Sequence, residues 1–354
     1  MKIKLRSLFI VMALVAGVHQ AAAQDATFTM YVANSQNYGV GNTRYFTIEK
    51  FDSHGNASVF ATNSSFSSPI LSSPVGVALD SSGHAYVDCT QDDTWIEEFG
   101  PSGNNPARFV NSTVSYPAGI VFDVFSNLYV ANNNSIERYD SLGVGTVFAT
   151  TGTAFLEGLA FDPNGNLWVS DEYNGLIEER NTNGTLTVFA TPGHNPFGLA
   201  FDSATNLYVA LQGNGTIVKY DPNTNQTLVA TLGATALPVG LGFDPAGDLY
   251  VTESGLNRIV KIDPLHNVTV FATNGLNTPL FFAIGPAPPT LTAIRSGGVR
   301  ILWPYPSTGW TLQQNSDLTT ANWLTSGGVV NDGTNNFITI PSPTGNLFFR
   351  LTQP

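Results

Sequence analysis

The sequence predicts an all-β protein: a six-bladed β-propeller whose last strand completes its first blade, followed by a small β-sandwich-like module at the C-terminus. Three observations carry that prediction. A phrase of the form Pro-x-Gly-apolar-Ala-Phe-Asp, then a turn with Gly and Asn, then Leu-Tyr-Val-Ala, recurs along the chain. Its aspartates stand at 80, 123, 162, 202 and 244, spacings of 43, 39, 40 and 42 residues, the length of a four-stranded blade rather than of a helical repeat. Composition agrees, because 34 Gly and 21 Pro supply tight turns and only 11% of residues are charged.

The chain opens with Lys2, Lys4 and Arg6, then an apolar run from Leu8 to Val18, then Ala21-Ala22-Ala23. That order reads as a secretory signal over residues 1–23, its apolar run too short to span a bilayer. Residues 24–285 hold the repeats. In the unit from Pro117, strand A is expected over Gly119–Asp123, B over Leu128–Ala131, C over Ser135–Tyr139 and D over Thr146–Thr150. The chain ends of this region supply one further blade. Thr278–Gly285 reads as a lone strand A, Met30–Asn34 as B, Ile48–Asp52 as C and Ala57–Thr62 as D. Pairing the two ends in one sheet removes the open edges of the ring. A proline-rich linker follows at 286–290. Residues 291–354 show short apolar segments, among them Val299–Trp303, Trp310–Gln314, Phe337–Ile340 and Leu347–Leu351, that suit a small β module.

Once the first three cations leave with the signal, 11 basic residues face 26 acidic ones. This balance disfavours nucleic acid and anionic membrane surfaces as partners and leaves cations, neutral sugars or basic peptides. Cys89 is the single cysteine, so no intrachain disulfide forms and packing alone holds the fold. Nucleophile elbows of the Gly-x-Ser-x-Gly kind and phosphate-cradling glycine loops are absent from the sequence, and no catalytic residue is assigned.

The segments Pro238-Val-Gly-Leu-Gly-Phe-Asp, Gly247-Asp-Leu-Tyr-Val-Thr-Glu and Asn257-Arg258-Ile259 resemble the NHL repeat, in phase across residues 28–285. The Gly-His to Trp-Asp signature of the WD repeat is missing. The six-bladed gluconolactonase-like (senescence marker protein) propellers also look similar. Members of that family hold a divalent metal in the central channel through Glu, Asn and Asp, two of them just before the strand A glycine. The resemblance therefore implies a metal-dependent lactonase or hydrolase. The matching positions here are Val75, Ala118, Glu157, Phe197, Val239 and Leu280, of which only Glu157 carries a ligating side chain.

In a propeller the B–C and D–A loops share one face, and the A–B and C–D turns share the other. The second face is made of short Asp/Asn/Gly turns, so the first, with longer and more varied loops, is the candidate working face. Strand B ends there in Asn34, Cys89, Asn132, Asp171, Leu211 and Glu253, with Asp88, Asp92, Asp93, Glu157 and Glu172 nearby. Oxygen ligands converging from Glu157, Asp171 and Glu253 would suit Ca²⁺; the competing role for such side chains is capping their own loops. His194 is the one histidine of this face and a candidate base, with an ordinary loop role as the alternative. Tyr38, Trp95 and Tyr173 are candidates for stacking on a sugar or peptide, with Arg44 and Arg258 adding polar contacts. The function expected is extracellular binding of carbohydrate, peptide or protein. The alternatives are the metal-dependent hydrolase and a structural part of an exported assembly.

Overall fold

The computed structural model describes residues 28–35, 46–62, 71, 73–90, 95–104, 106–110, 116–152, 155–181, 184–285, 291–295, 298–304, 310–317, 320, 322–332, 335–341 and 347–352. The chain divides into two compact units, one of Ala26–Pro286 and one that contains Ala287–Pro354. The expected signal at 1–23 and linker at 286–290 lie outside the described residues. Among the described residues there is no helix, and hence none long and apolar enough to cross a membrane.

The unit of residues 26–286 is built from four-stranded antiparallel sheets in which strands pair in chain order. The first sheet holds β1 (Thr29–Asn34), β2 (Thr47–Asp52) and β3 (Ala57–Thr62). The second holds β4 (Pro74–Leu79), β5 (Ala85–Cys89), β6 (Trp95–Phe99) and β7 (Ala107–Val110). The third is β8 (Pro117–Phe122), β9 (Leu128–Asn132), β10 (Ser135–Tyr139) and β11 (Gly145–Thr150). The fourth is β12 (Leu156–Phe161), β13 (Leu167–Asp171), β14 (Leu176–Arg180) and β15 (Leu186–Ala190). The fifth is β16 (Pro196–Phe201), β17 (Leu207–Leu211), β18 (Thr216–Tyr220) and β19 (Gln226–Thr231). The sixth is β20 (Pro238–Phe243), β21 (Leu249–Glu253), β22 (Arg258–Ile262) and β23 (Val268–Ala272). Strand β24 (Pro279–Gly285) then returns to pair with β1, so the first sheet runs β24-β1-β2-β3. The expected strands thus lie within a residue or two of those observed, including the strand that joins the two ends.

Innermost strands touch in a cycle, β24 to β4, β8, β12, β16, β20 and back to β24. Six apolar clusters fill the seams, each joining two neighbouring sheets. The cluster with Met30, Val32, Phe51, Tyr250 and Ile259 joins the sixth sheet to the first. The aromatic residue inside the second strand of each sheet is the seam's anchor. Tyr129 lies edge-on between Phe148 of its own sheet and Phe161 of the next, each 5.1 Å away. Tyr86 sits in the same way between Phe109 and Phe122, both at 4.9 Å. Such pairs add about 0.5–1.5 kcal/mol beyond the area they bury, so the recurring ring is a packing device.

Two further devices repeat. At the strand turns, an aspartate accepts backbone N–H groups two and four residues on and clamps the following Asn. Asp123 Oδ1 accepts from Phe125 and Asn127, and Asn127 Nδ2 donates to Oδ2, all at 2.8 Å. Every outermost strand is bulged against its neighbour. Bulges twist an exposed edge away from pairing with another chain, which matters here because these strands carry almost no charge.

The smaller unit has two sheets. One orders β25 (Thr292–Arg295), β26 (Val299–Pro304), β30 (Asn335–Ile340) and β29 (Val330–Asn331). The other orders β28 (Leu324–Thr325), β27 (Thr311–Asn315) and β31 (Phe348–Thr352). Val299, Ile301, Trp303, Leu312, Ile338 and Phe349 from both sheets make one core.

Candidate functional site

The face carrying the loops between second and third strands is organised by its strand ends. Asn34 Nδ2 donates to Thr47 Oγ1 at 3.1 Å and to the Gly275 carbonyl at 2.7 Å. Asp171 Oδ1 accepts from Asn174 N at 2.9 Å, and Oδ2 from Asn174 Nδ2 at 2.7 Å. Glu253, fully buried, is ion-paired through Oε2 with Arg258. These acids therefore cap their own hairpins. Glu157, Asp171 and Glu253 are not brought together, and among the described residues no group of three His, Cys, Asp or Glu has a geometry that holds a metal ion.

The residue preceding every first strand that opens on proline turns back over the same face. Ser73, Tyr116, Asn195, Leu237 and Thr278 all precede proline and all have φ between 48° and 54°. Residues before proline ordinarily avoid this left-handed region in favour of extended backbone. At Ser73, Asn195, Leu237 and Thr278 the turn aims the carbonyl at the residue beyond the second strand, as in Gln212 N to Asn195 O at 3.0 Å and Ser254 N to Leu237 O at 3.2 Å. It also lifts the side chain off the strand, leaving Tyr116 70% exposed.

The fourth sheet, which opens on Leu156 instead of proline, gathers the side chains best placed to meet a ligand. Phe155, just before β12, and Tyr173, just after β13, are 49% and 66% exposed. Their rings lie 6.1 Å apart at 58°. Beside them Asn195 Nδ2 donates to Glu172 Oε1 at 2.9 Å, and Glu172 N donates to the Phe155 carbonyl at 2.8 Å. Two residues along, Glu157 is pushed up to about 8, by burial first and then by the like charges of Glu172 and Asp88. Asp88 is wholly buried and pushed up to about 7 by the same loss of water, against the N–H groups of Gly76 and Val75 that hold it down. Two exposed rings beside carboxyl groups can stack on a sugar or side-chain face while accepting hydrogen bonds from its hydroxyl or amino groups.

His194 lies on this face with φ of 57°, its carbonyl accepting from Gly213 N at 2.9 Å. It borders a groove of about 450 Å³ shared with Pro192, Leu211, Asn214 and Gln226. That lining contains no carboxylate to orient an imidazole base. A larger cleft, about 530 Å³, opens on the turn side between the fifth and sixth sheets. Its aspartates Asp202, Asp244 and Asp263 are engaged in the turn clamps, which marks them as structural.

Two expected contact residues prove to have other work. Trp95 is 2% exposed in the seam between the first two sheets, with the Arg108 guanidinium 4.3 Å from its ring, so no ligand stacks on it. Arg258 is held by Glu253 rather than presented to a partner. Tyr38, Arg44, Asp92 and Asp93 lie outside the described residues. Phe155 and Tyr116 were not expected at the site; the available signal was an aromatic residue where other repeats place Ser73, Asn195 and Thr278.

Compared with known families the chain matches no family model, and it matches no curated protein. It is similar in structure to a chain of a nidogen/laminin complex, with TM-score 0.61, 18% identity, and coverage of 73% of this chain and 98% of that one. A streptogramin B lyase matches with TM-score 0.54 at 15% identity over 79% of this chain and 96% of that one. A catalytically inactive virginiamycin B lyase from Staphylococcus aureus with quinupristin matches with TM-score 0.53 at 14% identity, over 79% and 97%. At such identities the likeness is one of fold alone, and with the repeated four-stranded sheets it makes this chain a β-propeller.

Proposed function

We propose that this propeller is an exported, six-bladed, NHL-like binding module. In this reading it takes an extracellular carbohydrate, peptide or protein on the face of the Phe155–Tyr173 pair. The cyclic contacts of the innermost strands and the six seam clusters support the blade count. The observation that carries the binding reading is the exposed aromatic pair flanked by the Glu172–Asn195 hydrogen bond. Contiguous exposed apolar surface rimmed by polar groups marks interaction sites, and tyrosine is enriched where binding energy concentrates. A structure described as a nidogen/laminin complex has a similar fold, which is consistent with a protein partner here. The acidic balance of the chain favours neutral or basic ligands over anionic ones.

Glycan and peptide arrays probed with the chain, followed by titration of each hit, test the proposal. The Phe155→Ala, Tyr173→Ala double variant is expected to bind at least about tenfold more weakly with an unchanged melting temperature. Equal binding by the variant rejects this face.

The metal-dependent lactonase remains the second reading, supported by the place of Glu157 before the glycine of β12 and by its burial. Heat on titrating the chelator-treated protein with Ca²⁺, lost in Glu157→Gln, would favour it over simple binding.

A further inference from the structure

The next-to-last residue of each second strand faces the seam to the following sheet. In the first, third and fifth sheets it is Ala33, Ala131 and Ala210. In the second, fourth and sixth it is polar: Asp88, Ser170 and Thr252. The two hydroxyls make the same pair of bonds. Ser170 Oγ accepts from Gly158 N at 2.8 Å and donates to the Phe197 carbonyl of the next sheet at 2.6 Å. Thr252 Oγ1 accepts from Gly240 N at 2.8 Å and donates to the Leu280 carbonyl of the next sheet at 2.6 Å. Each hydroxyl is thus a clasp that ties the innermost strand of its own sheet to that of its neighbour.

Asp88 reproduces half of this clasp. Its Oδ1 accepts from Gly76 N at 2.8 Å and from Val75 N at 3.1 Å. By register the other half would end on the carbonyl of Ala118, the counterpart of Phe197 and Leu280 as the second residue of the next sheet's first strand. A Cβ placed on Gly76 would collide with that carbonyl oxygen and would stand 2.5 Å from Asp88 Oδ2, so the two oxygens flank one point. Oδ2 is buried and has no hydrogen-bond partner among the described residues. Two acceptor oxygens facing each other away from water repel unless a proton lies between them.

We infer that Asp88 carries its proton on Oδ2 and donates it to the Ala118 carbonyl, closing the seam between the second and third sheets as Ser170 and Thr252 close theirs. Unlike the hydroxyl clasps, this one titrates. Ionisation removes the donor and sets a carboxylate against a carbonyl oxygen, so the seam loosens in alkali and tightens in acid. Strands β4, β8, β9, β24 and β1, which pack around this point, carry no charged residue. Glu97 and Glu98 stand on β6 and Arg108 on β7 of the same sheet. Glu157, on β12, is the acid whose charge is felt together with that of Asp88. The placement agrees with burial raising Asp88 from 3.8 to about 7. A raised folded-state value means stabilisation that is complete below about pH 4, declines as pH rises and is gone above about pH 7.

The test combines a spectrum and a variant. The ¹³C carboxyl shift of Asp88 in the whole labelled chain, assigned by its loss in Asp88→Asn, is expected to report a protonated acid at pH 5.5 and to titrate near pH 7. Asn keeps the acceptor and supplies a permanent donor to Ala118, so its melting temperature should match the parent near pH 4 and exceed it by a growing margin toward pH 8.5. Asp88→Ala, which removes both bonds, should melt lower than either at pH 5.5. An ionised Asp88 at pH 5.5, or an Asn variant no more stable than the parent at pH 8.5, overturns the inference.

Discussion

Replacing Ser170 with Ala removes one clasp and nothing else of size. The side chain is fully buried, and its hydroxyl makes two bonds, to Gly158 N at 2.8 Å and to the Phe197 carbonyl at 2.6 Å. A buried polar group left without its partner costs about 1–3 kcal/mol. Two groups are orphaned here, but Ala131 and Ala210 occupy the same register in other sheets, so the backbone at such a seam tolerates the missing hydroxyl. A loss of about 2 kcal/mol follows, at the lower end of what two orphaned groups cost. For a domain of this size it corresponds to a fall in melting temperature of about 4–8 °C. Urea titration followed by tryptophan fluorescence measures it directly. The midpoint should drop while the slope stays constant, because the surface exposed on unfolding is the same. The Thr252→Val change, in a separate seam, should add its own decrement independently. A loss below about 0.5 kcal/mol for Ser170→Ala, within the range of an ordinary surface substitution, would refute the view that the hydroxyl holds adjacent sheets together.

Arg258→Ala strips the partner from Glu253, whose side chain is fully buried, and should cost about 3 kcal/mol by the same denaturation assay. The double change to leucine at 253 and 258 should recover most of that, since Leu211 already fills the equivalent strand end. Glu157→Gln should leave melting unchanged near pH 4.5 and raise it near pH 8.5. Burial lifts the folded-state value of this acid from 4.5 to about 8, so the parent loses stability as pH climbs from about 4.5 to about 8, and the amide does not. Differential scanning fluorimetry across that range checks the sign.

Much of the architecture follows from short-range chemistry. The Asp-x-x-Gly-Asn turns close with side chain to backbone bonds inside five residues, so their recurrence alone announces the strand ends. Short apolar runs such as Val147–Ala149, bounded by turn residues, mark strands by their length, and the lone strand near residue 280 marks the closing pair by elimination. The capping role of Asp171 was legible for the same reason, because its partner Asn174 is three residues away.

Side chains whose fate depends on a neighbouring sheet were not legible. Trp95 and Tyr173 look alike in sequence, as aromatics beside loops between second and third strands. One is buried in a seam and the other stands in water, because Trp95 begins β6 while Tyr173 has already left β13. Asp88 reads as one more loop carboxylate, yet its chemistry is set by a carbonyl thirty residues on that only the packing of two sheets brings near. The sequence by itself determined the strands, their order and the junction of the ends, since those rest on local turns and a regular period. Which acids are buried, which aromatics are presented and which seams carry a proton were decided by tertiary structure, because burial and dielectric belong to the assembled sheets and not to any one of them.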